Sequence, residues 1–494
     1  MRSRPMLLIT LCIVLSVVGA TDGRPDPAAT DRPNLVVLFA DDLGYGEIGA
    51  YGQQRIRTRR IDRLAAEGMR FTQFYVGSPV CAPSRATLLT GLHSGHAYVR
   101  GNFELGGFRD DEERGQLALL PQTPTVARWL QRQGYATGAV GKWGLGGPGS
   151  TGLPHLQGFD SFFGYLDQKQ AHNYYPTHLW RNDERVPLDN TYFDPHQRLK
   201  GDPDDSTAYA PFRGREYAVD RMTDQALAFL RQHRHEPFFL YYAPTLPHLA
   251  LQVPEAALAP YEGQFPETPY RGDEGYLPNR TPRATYAAMI SYLDTQVGRI
   301  VDELHALGLA QNTLILFTSD NGASANIDLE FFQSLGGLRG RKGALYEGGI
   351  RVPFIASWPG RIPAGTVSEH VAATWDVWAT CAELLGLQAP PTDGLSFLPA
   401  LLGRAEEQRA HDFLYWEFAA GGGQQAARVG RWKGVRVSLN ENPQAPIELY
   451  DLDADPHETR DLASEHPEIV ARMAATMRTA RTSSPVEAFN VVTP

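Results

Sequence analysis

Leu35-Val36-Val37-Leu38-Phe39-Ala40-Asp41-Asp42 decides the architecture. Six consecutive apolar residues are strand length. Their lack of alternation means that both strand faces are buried, as in a parallel sheet covered by helices on both sides. Working outward, Phe238-Phe239-Leu240-Tyr241-Tyr242 and Leu314-Ile315-Leu316-Phe317 repeat the pattern, and Ala136 to Val140 is a shorter run of the same kind. Helical patterns lie between these runs. Thr123-Pro124 reads as a cap followed by proline at the first helical position, with Val126, Trp129 and Leu130 on one apolar face. Over 283–307, Tyr286, Ile290, Leu293, Val297, Ile300, Leu304 and Leu307 recur four and three residues apart, and Gly308 fits the C-terminal cap. Strands alternating with helices predict an α/β fold with one large, mostly parallel sheet flanked by helices. From about residue 400 the texture changes. Gly421-Gly422-Gly423 marks a loop, short strands are expected around 428–437 and 447–450, and a charged helix over about 466–481. The expected division is a large α/β domain over 33–400 and a smaller α+β subdomain over 401–494.

The chain has 494 residues, enough for two to four domains at ~100–200 residues each. Hydrophobic residues at 42% and charged residues at 21% exclude a disordered chain. A net charge of −10 without a basic tract argues against binding nucleic acid through its phosphates. No long apolar run follows the N-terminus, so no membrane span is expected in the body of the protein. Arg2 and Arg4, the apolar stretch from Met6 to Val18, and the small residues Gly19 and Ala20 predict a signal peptide over 1–20. Export to the periplasm or secretion follows, with residues 21–32 as a flexible leader. Removal of that peptide leaves Cys81 and Cys381 of the three cysteines. Two cysteines exclude a disulfide framework and leave their pairing open.

In an open α/β sheet, ligands bind beyond the carboxyl ends of the strands. The polar residues that follow the four runs are Asp41 and Asp42, Lys142, His248, and Asp320 and Asn321. Each alone reads equally well as a turn or cap residue; four such placements on one rim point to a site. Asp41, Asp42, Asp320 and Asn321 offer only oxygen donors, which suits a hard cation, Ca²⁺ by preference and Mg²⁺ as the alternative. No His or Cys cluster has zinc spacing. A divalent cation beside Lys142 and His248 would suit an anionic ester. Cys81-Ala82-Pro83-Ser84-Arg85-Ala86-Thr87-Leu88-Leu89-Thr90-Gly91 starts a helix, and at its positive end a Cys81 thiolate or a bound anion is favoured.

That last segment resembles the signature of the type I sulfatases, the formylglycine-dependent members of the alkaline phosphatase superfamily. The resemblance spans nearly the whole mature chain. Phe39 to Gly46 resembles the family's first metal motif, Thr318 to Gly322 its second, Lys342 to Pro353 its lysine-bearing motif, and Glu448 to Leu452 with the following helix its C-terminal subdomain. The resemblance implies an alkaline phosphatase-like fold and oxidation of Cys81 to formylglycine by a separate maturation enzyme. One hydroxyl of the hydrated aldehyde would attack sulfur, and loss of a proton from the other would then release sulfate. It further implies that Asp41, Asp42, Asp320 and Asn321, with the modified Cys81, hold Ca²⁺. Arg85 would hold the hydrate, Lys142 and Lys342 would bind sulfate oxygens, and His248 would protonate the leaving alcohol.

One departure stands out. The family often carries Lys-Trp-His-Leu where this chain has Lys142-Trp143-Gly144-Leu145. His172, in a loop among aromatics, is the candidate replacement; an ordinary loop histidine is the other reading. His93, His96, Arg100 and Asn102 could contact substrate or be plain loop residues. Asp376 reads as structural, and Trp416, Glu417 and Trp432 as core rather than a sugar subsite. The expected activity is hydrolysis of a sulfated carbohydrate or small aryl sulfate. A phosphodiesterase or phosphonate monoester hydrolase of the same superfamily, and a catalytically silent binder of sulfated glycans, are the alternatives. Cys81 with Pro83 and Arg85 argues against the binder, which needs no maturation motif.

Overall fold

The computed structural model describes residues 32–490. The expected signal peptide, and the leader up to residue 31, lie outside the described residues. Ten strands form one sheet, with five parallel strands at its centre in the order Thr313–Ser319, Asn34–Ala40, Phe238–Ala243, Ala136–Lys142, Ser161–Tyr165. The quoted run is the middle of this array. Leu35 pairs with Leu314 on one side and with Phe239 on the other. Leu35, Val37 and Phe39 enter one hydrophobic core while Val36, Leu38 and Ala40 enter a second on the opposite face. That two-sided burial is why the run does not alternate.

The helix Pro282–Ala306 covers the second core, with Tyr286, Ile290, Leu293, Val297, Ile300 and Leu304 all buried in it. Its C-cap is Leu307, and Gly308 follows in the left-handed conformation at φ 71°. The expected cap at Thr123 is displaced by two residues, to Thr125. The helix is Val126–Arg132, and the Thr125 side chain accepts the Arg128 amide at 3.1 Å. Thr125 competes better because its hydroxyl reaches the third helical amide, the geometry of an N-cap.

The C-terminal part is a four-stranded antiparallel sheet, Leu414–Phe418, Gln424–Val429, Trp432–Arg436 and Glu448–Asp451, backed by the helix Pro467–Thr479 through Met473 and Met477. The expectation of one strand over 428–437 is corrected: Gly430, at φ 60°, turns the chain into a hairpin there. Leu414, Trp416, Ala426, Val435 and Tyr450 join the same core as Leu35 and Phe39, so the small sheet packs on the large one as a continuous interior. Trp416 is fully buried and donates its indole N–H to the Val76 carbonyl at 2.7 Å. Glu417 is buried between Arg100 and Arg481. Both are structural. No helix of the described residues is long and apolar enough to cross a membrane.

Candidate active site

Four adjacent parallel strands end at one rim, and their carboxyl ends carry the site. Asp41 and Asp42 follow Asn34–Ala40, Asp320 and Asn321 follow Thr313–Ser319, Lys142 closes Ala136–Lys142, and His248 lies beyond Phe238–Ala243. All six side chains are buried. The chain turns sharply at Asp42, which takes the left-handed conformation at φ 65°, a strained state that aspartate tolerates better than most residues. The turn is held by the Asp42 amide donating to Asp320 Oδ1 at 3.0 Å.

Each carboxylate at the rim has a cationic partner within 3 Å, and Arg85 also lies 3.7 Å from Asp41. Lys142 Nζ lies 2.8 Å from Asp41 Oδ2, Lys342 Nζ 2.7 Å from Asp42 Oδ2, and Arg85 Nη2 2.7 Å from Asp320 Oδ2. Arg85 also donates to the Lys142 carbonyl at 2.6 Å, so its guanidinium is committed to the scaffold of the site. Burial works against both lysines, but Asp41 holds Lys142 above its ordinary range and Asp42 holds Lys342 well above it. Burial, then the Asp41 charge, raises Asp320.

Cys81 is the first residue of the buried helix Cys81–Thr90, which ends at Gly91 in the left-handed conformation. The Ala82 amide at the helix start donates to Asn102 Oδ1 at 3.0 Å. Cys81 Sγ lies 3.5 Å from Asp41 Oδ1 and 3.9 Å from Asp42 Oδ1. The expectation of a favoured thiolate is corrected. Burial pushes the thiol up by more than Lys142 and Lys342 pull it down, so the unmodified side chain is a neutral thiol. Cys81 and Cys381 are both free and buried, with no disulfide between them.

Asp41, Asp42, Cys81 and His248 place ligand atoms within 4.8 Å of one another. Asn321 donates its amide to Asp42 Oδ1 at 2.7 Å, and its own Oδ1 is buried with no hydrogen-bond partner. A bare buried carbonyl oxygen beside three carboxylates is what a hard cation would satisfy. His248 Nε2 is 3.7 Å from Asp42 Oδ2, and its Nδ1 is 2.5 Å from the Leu249 carbonyl. Because a carbonyl only accepts, Nδ1 carries the proton and Nε2 faces the site. Burial, then Lys342 and Lys142, hold His248 well below the usual histidine range.

The structure brings His172 into this group: its ring stacks on His248 at 5.0 Å between centroids, with 28° between planes. Three neighbours had no sequence signal. Tyr276 has its ring 5.0 Å from His172, His196 Nε2 is 2.8 Å from His172 Nδ1, and Gln168 covers Gly144. Gln168 Nε2 is buried without a partner. These residues come from loops, where no period announces a contact. His93 and His96 are not brought to the site. They stack on each other and pair with Asp393 against Trp375 and Tyr415. Asp376 is structural, accepting the Ala373 and Leu395 amides and facing His411. Trp432 packs against His466 in the small subdomain, the rings tilted by 56°.

Residues 33–387 match the sulfatase family. The chain is a sulfatase, a sulfuric ester hydrolase. Residues 341–483 also match the family described as N-sulphoglucosamine sulphohydrolase, C-terminal. Bovine (Bos taurus) arylsulfatase A is 32% identical over 90% of this chain and 85% of its own length. N-acetylgalactosamine-6-sulfatase of Sus scrofa is 33% identical over 86% of this chain and 74% of its own. Among solved structures, Ps i-CgsB superimposes with a TM-score of 0.73 at 26% identity, covering 91% of this chain and 94% of that one. The phosphonate monoester hydrolase of Agrobacterium radiobacter, at a TM-score of 0.64 and 22% identity over 91% and 95%, shares the fold. The large sheet and the small C-terminal sheet of this sulfatase are thus the alkaline phosphatase-like architecture expected from its motifs.

Proposed function

We propose that this sulfatase removes sulfate from a sulfated carbohydrate, using a formylglycine formed from Cys81 and a Ca²⁺ held by Asp41, Asp42, Asp320 and Asn321. The observation that carries the reading is the placement of Cys81 Sγ 3.5 Å from Asp41 and 3.9 Å from Asp42, at the start of a buried helix. Ps i-CgsB has been solved with k-i-k-neocarrahexaose, and that likeness, with the N-acetylgalactosamine-6-sulfatase relative, supports a carbohydrate ester over a small aryl sulfate. Conversion of Cys81 requires a formylglycine-generating enzyme as partner, and the signal-like segment over 1–20 supports an exported enzyme, periplasmic or secreted.

The donor set fits a divalent cation, which when bound supplies Lewis-acid polarisation of sulfuryl oxygens and favours the ionised form of a nearby hydroxyl. Lys142, buried, and Lys342, half-buried, are both held cationic and offset the negative charge that builds on the sulfuryl oxygens during attack. His248 presents Nε2 to the leaving oxygen with Nδ1 anchored on Leu249. Once Nε2 takes up a proton beside the anionic ester, burial makes the imidazolium a strong acid toward the departing alcohol. Arg85 holds Asp320 in place.

The test is paired. Mass spectrometry of the peptide containing Cys81 should show CH2SH replaced by CHO, and Cys81→Ala should keep the parental fold but release no sulfate from a sulfated oligosaccharide. Near-parental turnover by purified Cys81→Ala would reject the reading.

A further inference from the structure

His196 and His172 form a chain whose proton positions are dictated by the backbone. The Tyr276 amide, which only donates, lies 3.0 Å from His196 Nδ1. His196 Nδ1 therefore accepts, and the proton of the neutral ring sits on Nε2. That Nε2 is 2.8 Å from His172 Nδ1. His172 Nδ1 must then accept in turn, which leaves the His172 proton on Nε2. Burial holds His196 below the usual histidine range, and burial with His248 and Lys142 holds His172 well below it, so both rings are neutral and the tautomer is what matters.

Both rings are clamped. Phe108 lies 4.1 Å from His196 and 5.5 Å from His172, Tyr276 packs on both, and the His196 amide donates to Asp194 Oδ1 at 2.8 Å. Among the described residues, His172 Nε2 has no hydrogen-bond partner, and its ring stacks on His248 at the rim of the site. We propose that His196 is a positioning residue that locks His172 in the Nε2–H tautomer, making His172 a fixed hydrogen-bond donor to an oxygen of the bound sulfate ester. This rests on the sulfate-ester reading above. Such a donor is preorganised: its polarity is set before substrate arrives, so no reorientation is needed as charge develops.

The test uses side chains of similar shape and opposite polarity, assayed at alkaline pH so that His172 stays neutral in every variant. The His196→Gln amide can still donate to His172 Nδ1. The His196→Glu carboxylate can only accept, which pulls the proton onto Nδ1 and leaves Nε2 bare. His196→Glu should lower kcat by about 10²-fold, the scale of losing one preorganised donor, with KM changed far less. His196→Gln should rescue most of what His196→Ala loses. Equal losses in the Gln and Glu variants would overturn the proposal. Independently of turnover, nitrogen NMR of histidine-labelled protein, with His172 assigned from a His172→Gln sample, should show Nε2 protonated in the parent and Nδ1 protonated in His196→Glu. A parent with the proton on Nδ1 would also overturn it. If the parent releases no sulfate from any ester, the functional reading fails while the NMR still decides the tautomer.

Discussion

Gln168 holds the space that a side chain at Gly144 would need: a Cβ built there collides with Gln168 Nε2 and presses on its Cγ at 3.0 Å. Gly144 also sits at φ 74°, where any other residue is strained. The histidine common in the family at this position cannot simply be restored. Gly144→His should cost about 1–3 kcal/mol from backbone strain and overpacking, seen as a lower melting temperature, without raising turnover. In a Gln168→Ala background the clash is removed and part of the loss should return. A Gly144→His protein as stable as the parent would mean that the loop shifts freely.

Three buried carboxylates and the bare Asn321 oxygen predict that a bound cation stabilises the folded state. A ligand at 100 times its Kd contributes about 2.7 kcal/mol by mass action. Exhaustive chelation should lower both turnover and melting temperature, and Ca²⁺ should restore them at lower concentration than Mg²⁺. A melting curve indifferent to chelation would reject the metal site.

Asp294 predicts a pH dependence far from the rim. Burial pushes its carboxyl up to about 6, against the pull of the Ile61 amide that donates to it at 2.7 Å. The folded protein keeps this proton to higher pH than the unfolded chain. Stability is therefore lost as pH rises between about 4 and 6, by on the order of 3 kcal/mol. Asp294→Asn should flatten that fall, measured as urea midpoints on either side of the window. An unchanged slope would show that another group carries it.

Lys433 ties the small sheet to the helix that begins at Glu347. Its buried Nζ lies 2.9 Å from both Glu347 Oε1 and Glu458 Oε1. Burial would raise both acids. At Glu347, Lys433 and Arg351 outweigh it and hold the carboxyl down to about 2, whereas burial wins at Glu458 and pushes it up to about 7. Lys433→Met would leave Glu347 with Arg351 as its remaining ion-pair partner and take the paired cation from Glu458, and should cost about 3–5 kcal/mol. Adding Glu347→Gln should recover part of it. A Lys433→Met variant with the parental melting temperature would show that the pair contributes nothing net.

Local chemistry along the chain was enough for the frame. Leu35 to Ala40 and Leu314 to Phe317 read as buried strands because a two-sided environment demands unbroken apolar runs. The helix over 282–306 read within one residue because its apolar spacing repeats for about six turns. Asp41, Lys142, His248 and Asp320 were found because each stands where a strand ends, so topology alone brings them to one rim. Folding in three dimensions decided the rest. The turn at Gly430 split an expected strand, since a hairpin depends on which neighbour the chain pairs with. The charge state of Cys81 turned on burial outweighing two lysines, a balance of distances that no spacing encodes. His196, Tyr276 and Gln168 reach the site from loops scattered over more than a hundred residues of chain. Loop contacts are made by packing rather than by period, and only the folded protein shows which nitrogen faces which.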